Sequence, residues 1–254
     1  MNNKIIINAD DCGKSEEVNL AIEECIQIGC ISSTSVMANL DDLEGAKKLY
    51  DNYKDTITFG AHLDLTEAHP LTQSQILLDY GYFKETDKGI FMNGHKFPHT
   101  LFPKTVRNEI FKELDAQMNK LLDYGFNISH IDSHRHTHMG IGLLPVVVKV
   151  AEKYHINKIR RSKTFMRPCL RLYMGKAWRF ELKCLAPHIL TTDYFCSFSD
   201  YHHKTTNHIM ERNNATFELM VHPGHPKYEE EIALLKEQCQ NIFVNNQLIN
   251  YNNL

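Results

Sequence analysis

The stretch that organises the chain joins a predicted strand to the loop after it, and it reads His130-Ile131-Asp132-Ser133-His134-Arg135-His136-Thr137-His138. Because alternate side chains of a strand point to one face, His130, Asp132 and His134 are predicted to converge on one spot. Imidazole and carboxylate groups bind zinc and similar ions, and imidazole is also the commonest acid or base near neutral pH. The alternative is a polar strand end with solvated histidines, which five such groups in nine residues disfavour, although not all five can be ligands.

Strand-like and helix-like runs alternate along the whole chain. The predicted strands cover residues 4–9, 32–38, 56–65, 127–132, 158–160 and 216–221. The predicted helices lie between residues 15 and 29 and over 41–52, 105–123, 143–154, 200–212 and 228–239. This alternation predicts parallel βαβ units in a single α/β domain over residues 1–254, arranged as a barrel or near-barrel.

Two regions do not follow the alternation. Residues 66–103 are irregular, and we expect a long loop with short elements that covers one end of the domain. Residues 162–188 are basic and contain the only tryptophan, Trp178. For this segment we favour solvated helices on the outside of the fold over a surface that faces substrate or a second subunit.

Composition limits the partners and the compartment. The 254 residues are 43% hydrophobic with net charge −3, so a sizeable core is expected and neither nucleic acid nor an anionic membrane is favoured. No stretch is long enough to span a bilayer. The seven cysteines include no Cys-x-x-Cys pair, which predicts reduced thiols and a cytoplasmic protein. A homodimer is expected only from the general frequency of such assemblies.

Polar motifs fall at the C-terminal ends of several predicted strands. Asp10-Asp11 follows the first strand, His62 lies on the third, the stretch 130–138 follows the fourth, and His222 follows a late strand. In (β/α) barrels this end carries the active site, because loops from several strands converge there. The common placement of these motifs therefore predicts one mouth lined by acidic and imidazole groups.

The adjacent pair Asp10 and Asp11 is expected to supply one ligand. Successive residues of an extended chain point in opposite directions, so the second carboxylate would act as a base or as an orienting group. A helix N-cap is the alternative role for such a pair at a strand end.

His62, Asp64 and His222 each have a structural alternative. A histidine in an apolar strand is often a satisfied core residue, but Gly60 permits close approach of the backbone and favours a ligand at His62. Asp64 is expected to fix the tautomer of an imidazole. His222 is either a turn-capping residue or a general acid or orienting group.

One carboxylate and two histidines with open positions are typical of a hydrolytic metal site, which polarises a carbonyl and lowers the pKa of water. The sequence has no Gly-x-Ser-x-Gly elbow, no Walker A loop and no Gly-x-Gly-x-x-Gly after the first strand. Covalent serine, nucleotide and dinucleotide chemistry are therefore disfavoured.

Four motifs, in this order, resemble those of the YdjC-like carbohydrate deacetylases, which include the chitooligosaccharide deacetylases. They are Asn8-Ala9-Asp10-Asp11-x-Gly13, Gly60-x-His62-Leu63-x-Leu65-Thr66, His130-Ile131-Asp132-Ser133-His134-x-His136-x-His138 and Glu218-x-Met220-x-His222-Pro223-Gly224. The resemblance covers nearly the whole chain. It implies a barrel-like fold related to the NodB-type polysaccharide deacetylases.

The resemblance also implies site roles. One divalent metal ion per chain, magnesium in the family, would be held by Asp11, His62 and His134, although this ligand set also suits zinc. Asp10 would match the catalytic base of the wider deacetylase group and His222 its acid.

The implied reaction is hydrolysis of the acetamide of an N-acetylated amino sugar, with a short chitooligosaccharide such as diacetylchitobiose as substrate and acetate as product. Asp132, His136 and His138 would lie behind the ligands or contact the substrate. The family usually has phenylalanine at the position of Cys12, and we expect this cysteine to pack as a small hydrophobic residue.

Two other functions stay open from the sequence. A metal-dependent phosphoesterase also uses His-x-His-x-His patterns, but with two or more ions. A non-catalytic sugar- or metal-binding protein could keep the same fold.

Overall fold

The computed structural model describes residues 3–93, 102–164, 170–206, 213–244 and 246–254. Their strands are β1 (Asn3–Cys12), β2 (Ser33–Val36), β3 (Thr58–Leu63), β4 (Phe83–Thr86), β5 (Gly89–Met92), β6 (Ile128–Ser133), β7 (Tyr194–Ser197), β8 (Thr216–Val221) and β9 (Asn246–Leu248). Strands β4 and β5 form a separate antiparallel hairpin. All the other strands join one sheet.

That sheet is parallel and is centred on β1. Its strand order is β6-β3-β2-β1-β8-β7, and β9 pairs with the first residues of β1, where β2 does not reach. Ile5, Ile6 and Ile7 are all fully buried, as expected for a parallel strand covered on both faces. The sheet curls into a half-barrel, which confirms the predicted barrel-like α/β fold. The assignment of residues 1–254 to a single domain stays a prediction.

Helices connect the strands and cover the sheet. They are α1 (Glu16–Ile28), α2 (Leu43–Tyr53), α3 (Gln75–Tyr80), α4 (Lys104–Asp123), α5 (Leu144–Lys153), α6 (Leu170–Leu185), α7 (Phe198–Thr206) and α8 (Glu229–Val244). Both predicted ends of helix α1 are confirmed. Ser15 accepts a hydrogen bond from the Val18 backbone at its start, and Gly29 ends it in the left-handed conformation at φ 77°.

Helix α4 is amphipathic as predicted, but two of its polar residues are buried and hold the loop after β3. The Gln117 amide pairs with both the backbone N–H and the carbonyl of Asp64, at 2.9 and 2.7 Å. The Glu113 carboxylate accepts hydrogen bonds from the backbones of Leu71 and Thr72 at 3.0 and 2.8 Å. These two side chains of α4 therefore fix the backbone of the loop. The sequence predicts α4 from its apolar residues and does not reveal these polar contacts.

The region 66–103 contains short elements as predicted, namely α3 and the β4–β5 hairpin, and its residues 94–101 lie outside the described residues. Other sequence predictions need correction. The predicted strand 158–160 is reduced to isolated bridges of Lys158 and Ile159, because its pairing does not extend further. Strands β7 and β9 were not predicted. The predicted helix 200–212 begins at Phe198, and its residues 207–212 lie outside the described part of the chain.

The expectation of solvated helices for the basic segment is correct for part of α6 and wrong for its tryptophan. Lys176, Arg179 and Phe180 are exposed, whereas Trp178 is fully buried. The Trp178 indole N–H donates a 3.0 Å hydrogen bond to the carbonyl of His138. Helix α6 therefore packs against the loop after β6 through this side chain.

Gly60 gives room to a neighbouring histidine. A Cβ atom at Gly60 would lie 2.3 Å from Cε1 of His130. That imidazole cannot easily move, because it stacks on Tyr251 with ring centroids 3.6 Å apart and an interplanar angle of 8°. The close approach that the sequence suggested at Gly60 therefore serves packing between β3 and β6.

We expect Gly60→Ala to lower the free energy of unfolding by about 1–3 kcal/mol, because the new methyl group overpacks the His130–Tyr251 stack. Gly175→Ala is the matched control, since its Cβ would meet Ser162 Oγ at an ordinary 3.5 Å in a helix. Urea unfolding of both variants tests the prediction. Equal stabilities would show that His130 can shift without cost.

Candidate active site

The polar motifs meet in a pocket of about 270 Å³ at the C-terminal end of the sheet. Six sequence-predicted site residues line it: Asp10, Asp11, His62, His134, His136 and His222. The remaining lining residues are mostly cationic or aromatic, namely Lys14, Glu67, Arg135, Lys163, Met220, His225, Lys227 and Tyr228. The convergence expected from the strand ends is therefore present.

A β-bulge brings Asp10 and Asp11 to the same pocket. The register between β1 and β2 shifts between Ala9 and Cys12, and Asp11 adopts a left-handed φ of 70°. Both side chains consequently line the pocket, although adjacent strand residues normally face opposite sides. Neither serves as the N-cap of α1, whose cap is Ser15.

Asp11, His62 and His134 form a candidate metal-binding site. Asp11 Oδ1 lies 3.3 Å from His62 Nε2 and 2.9 Å from His134 Nδ1. Ligand atoms from the three residues all lie within 4.8 Å of one another. Burial alone would raise the pKa of the Asp11 carboxyl, but its hydrogen bonds with His134 and His62 outweigh burial and hold that pKa well below its usual range.

Asp132 lies behind His62 and fixes its orientation. Its Oδ1 is 2.8 Å from His62 Nδ1, so the other ring nitrogen faces Asp11. The hydroxyl of Ser35 donates to Asp132 Oδ2 at 2.9 Å and also contacts His62 Nδ1 at 3.1 Å. Asp132 is fully buried and lies behind His62, away from the residues that line the pocket.

Arg160 is the residue that sequence reasoning missed. Its fully buried guanidinium binds both oxygens of Asp10 at 2.8 and 2.6 Å, Asp132 at 2.7 Å and Glu218 at 2.6 Å. Burial raises the pKa of Glu218 to about 7, although Arg160 opposes this shift. The available signal was that Arg160 ends the predicted strand 158–160, and therefore lies at the same edge as the other site residues.

Asp64 has a different role from the one predicted. Its Oδ1 accepts hydrogen bonds from the backbone N–H groups of Thr66 and Glu67, at 2.8 and 3.3 Å, and its Oδ2 accepts one from Asn39 at 3.1 Å. The expectation that Asp64 fixes an imidazole tautomer is wrong, because the carboxylate closes a turn instead. Asp132 performs the predicted function for His62.

The four histidines of the stretch 130–138 are separated in the structure, with His130 on β6 and the other three in the loop that follows it. His134 and His136 reach the pocket because Arg135 and His136 both adopt left-handed backbone conformations, at φ 50° and 58°. The imidazole of His138 is buried behind them, 2.6 Å from Ser133 Oγ. Neither His130 nor His138 lines the pocket, so the predicted convergence of His130 with the cluster is wrong. Burial lowers the pKa of both residues to about 3, so they are neutral core histidines.

His222 faces Asp10 across the pocket. Its Nε2 lies 3.9 Å from Asp10 Oδ2, and its ring stacks on Tyr228 at a centroid distance of 4.4 Å. Burial lowers the pKa of this imidazole, and the charge of Asp10 opposes the shift. The arrangement gives the pocket an imidazole that can exchange a proton next to a fixed carboxylate.

Cys12 packs in the core. It is fully buried, and its Sγ lies 3.5 Å from Asn19 Oδ1, away from the pocket. Burial raises the pKa of this thiol to about 12, so no thiolate is available near neutral pH.

The donor set fits a divalent cation. Asp11 offers a carboxylate oxygen and two histidines offer ring nitrogens, which is a common combination at hydrolytic metal sites. Nearby, Asp10 and Asp132 are also buried carboxylates, and Arg160 is the only fully buried cation among the residues that the structure describes. With His62 and His134 neutral, as metal ligation requires, a positive ion would balance the excess negative charge.

Known proteins share this sequence pattern and fold. The profile of the YdjC-like protein family matches residues 4–248. A curated "Carbohydrate deacetylase" of Geobacillus stearothermophilus is 32% identical over 223 residues, which cover 87% of this chain and 79% of that protein. Another of the same name from Brevibacillus brevis is 36% identical over 60% of this chain, and the match spans only 57% of that protein.

Two solved structures have a similar fold. A protein of Enterococcus faecalis V583, provisionally named a cellobiose-phosphate cleavage protein, has a TM-score of 0.78 at 21% identity and covers 100% of this chain and 99% of its own. A mutant CE4 family pseudoenzyme with restored enzymatic activity has a TM-score of 0.50 at 10% identity, over 100% of this chain and 67% of that chain. CE4 proteins are of the NodB type, so the expected fold relationship is confirmed.

Arg160→Met should lower the free energy of unfolding by about 3–5 kcal/mol at pH 7.5 in metal-free buffer, because it leaves buried carboxylates without their cation. The loss should shrink at pH 5.5. Asp10 and Asp132 owe their low pKa values to partners that include Arg160, so without it they protonate more readily as the pH falls.

Urea unfolding at both pH values measures this effect. The exposed Arg107 on α4 provides the matched control, Arg107→Met, which should change stability little at either pH. A loss for Arg160→Met that is independent of pH would contradict the electrostatic explanation.

Proposed function

The chain belongs to the YdjC-like protein family, and from this premise we propose that it is a metal-dependent hydrolase that deacetylates N-acetylated amino sugars. The observation that carries the proposal is the meeting of His62 and His134 at one oxygen of Asp11, beside Asp10 and His222. The curated relatives from Geobacillus and Brevibacillus are named carbohydrate deacetylases. That name supports the reaction class proposed for this chain.

Asp11, His62 and His134 would hold one divalent ion per chain. When bound, the ion acts as a Lewis acid toward the acetamide carbonyl and lowers the pKa of a water molecule. Magnesium follows from the family resemblance, whereas two imidazoles and one carboxylate equally suit zinc.

Asp10 is proposed as the base and His222 as the acid. The two hydrogen bonds from Arg160 fix the Asp10 carboxylate in one orientation, and Asp10 then takes the proton of the attacking water. His222 delivers a proton to the leaving amine, and its stacking on Tyr228 fixes the plane of its ring. The products are acetate and a free amino sugar.

The proposed substrates are short chitooligosaccharides such as diacetylchitobiose. The pocket is polar and small, and Tyr228 offers an aromatic ring at its wall. An aromatic face of this kind can pack on the apolar face of a sugar ring. His136 also lines the pocket and is proposed to contact the substrate, whereas the buried His138 supports the loop.

The geometry disfavours a phosphoesterase with several ions. The described residues contain a second group of potential ligands, Asp10, His62 and Asp132. The guanidinium of Arg160 already lies 2.8 Å from Asp10 and 2.7 Å from Asp132, so a cation occupies that position. One ion per chain is therefore the proposed stoichiometry.

Compartment and assembly are parts of the same proposal. Within the described ranges, no helix combines enough length with enough apolar character to cross a membrane. The six cysteines among the described residues are free, which supports a cytoplasmic location. The homodimer stays a prediction.

We expect the metal-stripped protein to release no acetate from diacetylchitobiose, and to regain activity when magnesium, zinc, manganese or cobalt is added. His134→Ala should abolish the release, because it removes one of three ligands. His188→Ala, at an exposed histidine, is the control and should retain activity. Acetate release that persists without metal, or in His134→Ala, would contradict the proposal.

Asp10→Asn should reduce turnover by roughly 10²–10⁴-fold while one metal ion per chain stays bound, because it removes the base and leaves the three ligands. Acetate assays combined with metal analysis of the same samples test this. Unchanged turnover would remove Asp10 from the mechanism. Two bound ions per wild-type chain would favour the phosphoesterase alternative.

A further inference from the structure

We infer that Glu67 is a positioning residue for His134 and that it raises the metal affinity of the site. The inference rests on the proposed function, since it assigns a role toward the ion that Asp11, His62 and His134 would hold. The sequence analysis assigned no role to Glu67, which directly follows the motif Gly60–Thr66.

The two imidazoles of the cluster have matching surroundings. His62 lies between two carboxylates, with Nε2 3.3 Å from Asp11 and Nδ1 2.8 Å from Asp132. His134 also lies between two carboxylates, with Nδ1 2.9 Å from Asp11 and Nε2 3.4 Å from Glu67. Glu67 therefore stands to His134 as Asp132 stands to His62. A carboxylate behind a ligating imidazole fixes its tautomer and orientation and increases its basicity.

The backbone of Glu67 is held in place by the turn that Asp64 closes. Asp64 Oδ1 accepts from the Glu67 backbone N–H at 3.3 Å, and Asn39 donates to the Glu67 carbonyl at 3.5 Å. The next residue, Ala68, takes a left-handed conformation at φ 62°. These contacts give Asp64 a role in the motif, since none of its hydrogen bonds in the described part of the chain goes to an imidazole.

Two cations orient the Glu67 carboxylate. Lys14 Nζ lies 2.7 Å from Glu67 Oε1, and an Arg135 nitrogen lies 3.7 Å from Oε2. Lys14 also contacts Asp11 Oδ2 at 3.6 Å. Lys14 thus binds the outer oxygen of Asp11 as well as Glu67, and Asp11 Oδ1 is left facing the two imidazoles.

The two orienting carboxylates differ in exposure. The side chain of Asp132 is fully buried, whereas that of Glu67 is 27% exposed at the pocket mouth. Contacts near water are weaker, so we expect the contribution of Glu67 to lie at the lower end of the range for such residues.

The test measures the affinity of the metal-free protein for Zn²⁺ and Co²⁺ by competition with a chromogenic chelator, without any substrate. Glu67→Ala should weaken binding about 10-fold, within the 10–100-fold range typical of residues behind a ligand. Glu67→Gln retains a carbonyl oxygen that can accept from His134, so its affinity should recover most of the loss. Glu85→Ala, at an exposed glutamate of the β4–β5 hairpin, should bind as the wild type does.

The outcomes separate this inference from the proposed function. If the wild type binds an ion and Glu67→Ala binds it equally well, the positioning role is overturned and the proposed metal site stands. If the wild type binds neither ion, the positioning role is overturned, while acetate release restored by magnesium would still support the proposed function. Thermal unfolding of the metal-free variants is the control for a general loss of structure. A merely structural role of Glu67 would lower the melting temperature, whereas a positioning role would lower the metal affinity at an unchanged melting temperature.

Discussion

The buried guanidinium of Arg160 is the interaction on which the site depends. It binds Asp10 on β1, Asp132 on β6 and Glu218 on β8, so it joins three strands of the sheet. In the sheet, β2 and β3 lie between β1 and β6. A single side chain can reach all three carboxylates only because the sheet curls. Without this cation, the carboxylates could not be buried at a reasonable cost in free energy.

The same contact separates the roles of the two adjacent aspartates. Arg160 binds both oxygens of Asp10, which leaves that carboxylate oriented and beside a cation. Asp11 has no contact with the guanidinium among the hydrogen bonds and ion pairs of the described chain, and its partners are His62, His134 and Lys14. A bulge in β1 makes the division possible, since it turns both side chains toward one pocket. One aspartate is thus suited to accept a proton and the other to bind an ion.

Much of this site was predictable from the sequence, and the remainder depends on long-range contacts. The motifs at the strand ends predict one mouth lined by acidic and imidazole groups, because the ends of parallel strands share one edge of a sheet. The choice of Asp11, His62 and His134 as ligands came from the family resemblance. Arg160 was missed because its local sequence does not show that a buried guanidinium will meet carboxylates from three strands that are distant in the chain. The role of Asp64 was mistaken because a turn-closing carboxylate and an orienting carboxylate look alike in sequence. The bulge at Asp11 depends on its register with β2, which local pattern does not reveal.

Both imidazoles beside Asp11 have a raised proton affinity. Burial disfavours the charged form of His62, yet Asp132 and Asp11 outweigh it and raise the imidazole pKa well above its usual range. Burial likewise opposes a raised pKa at His134, and the hydrogen bonds to Asp11 and Glu67 outweigh it. A metal ion would need both imidazoles neutral on the ligating nitrogen, so its binding would release protons. The carboxylates that orient the candidate ligands also increase their proton affinity, so an ion would compete with protons for the same cluster.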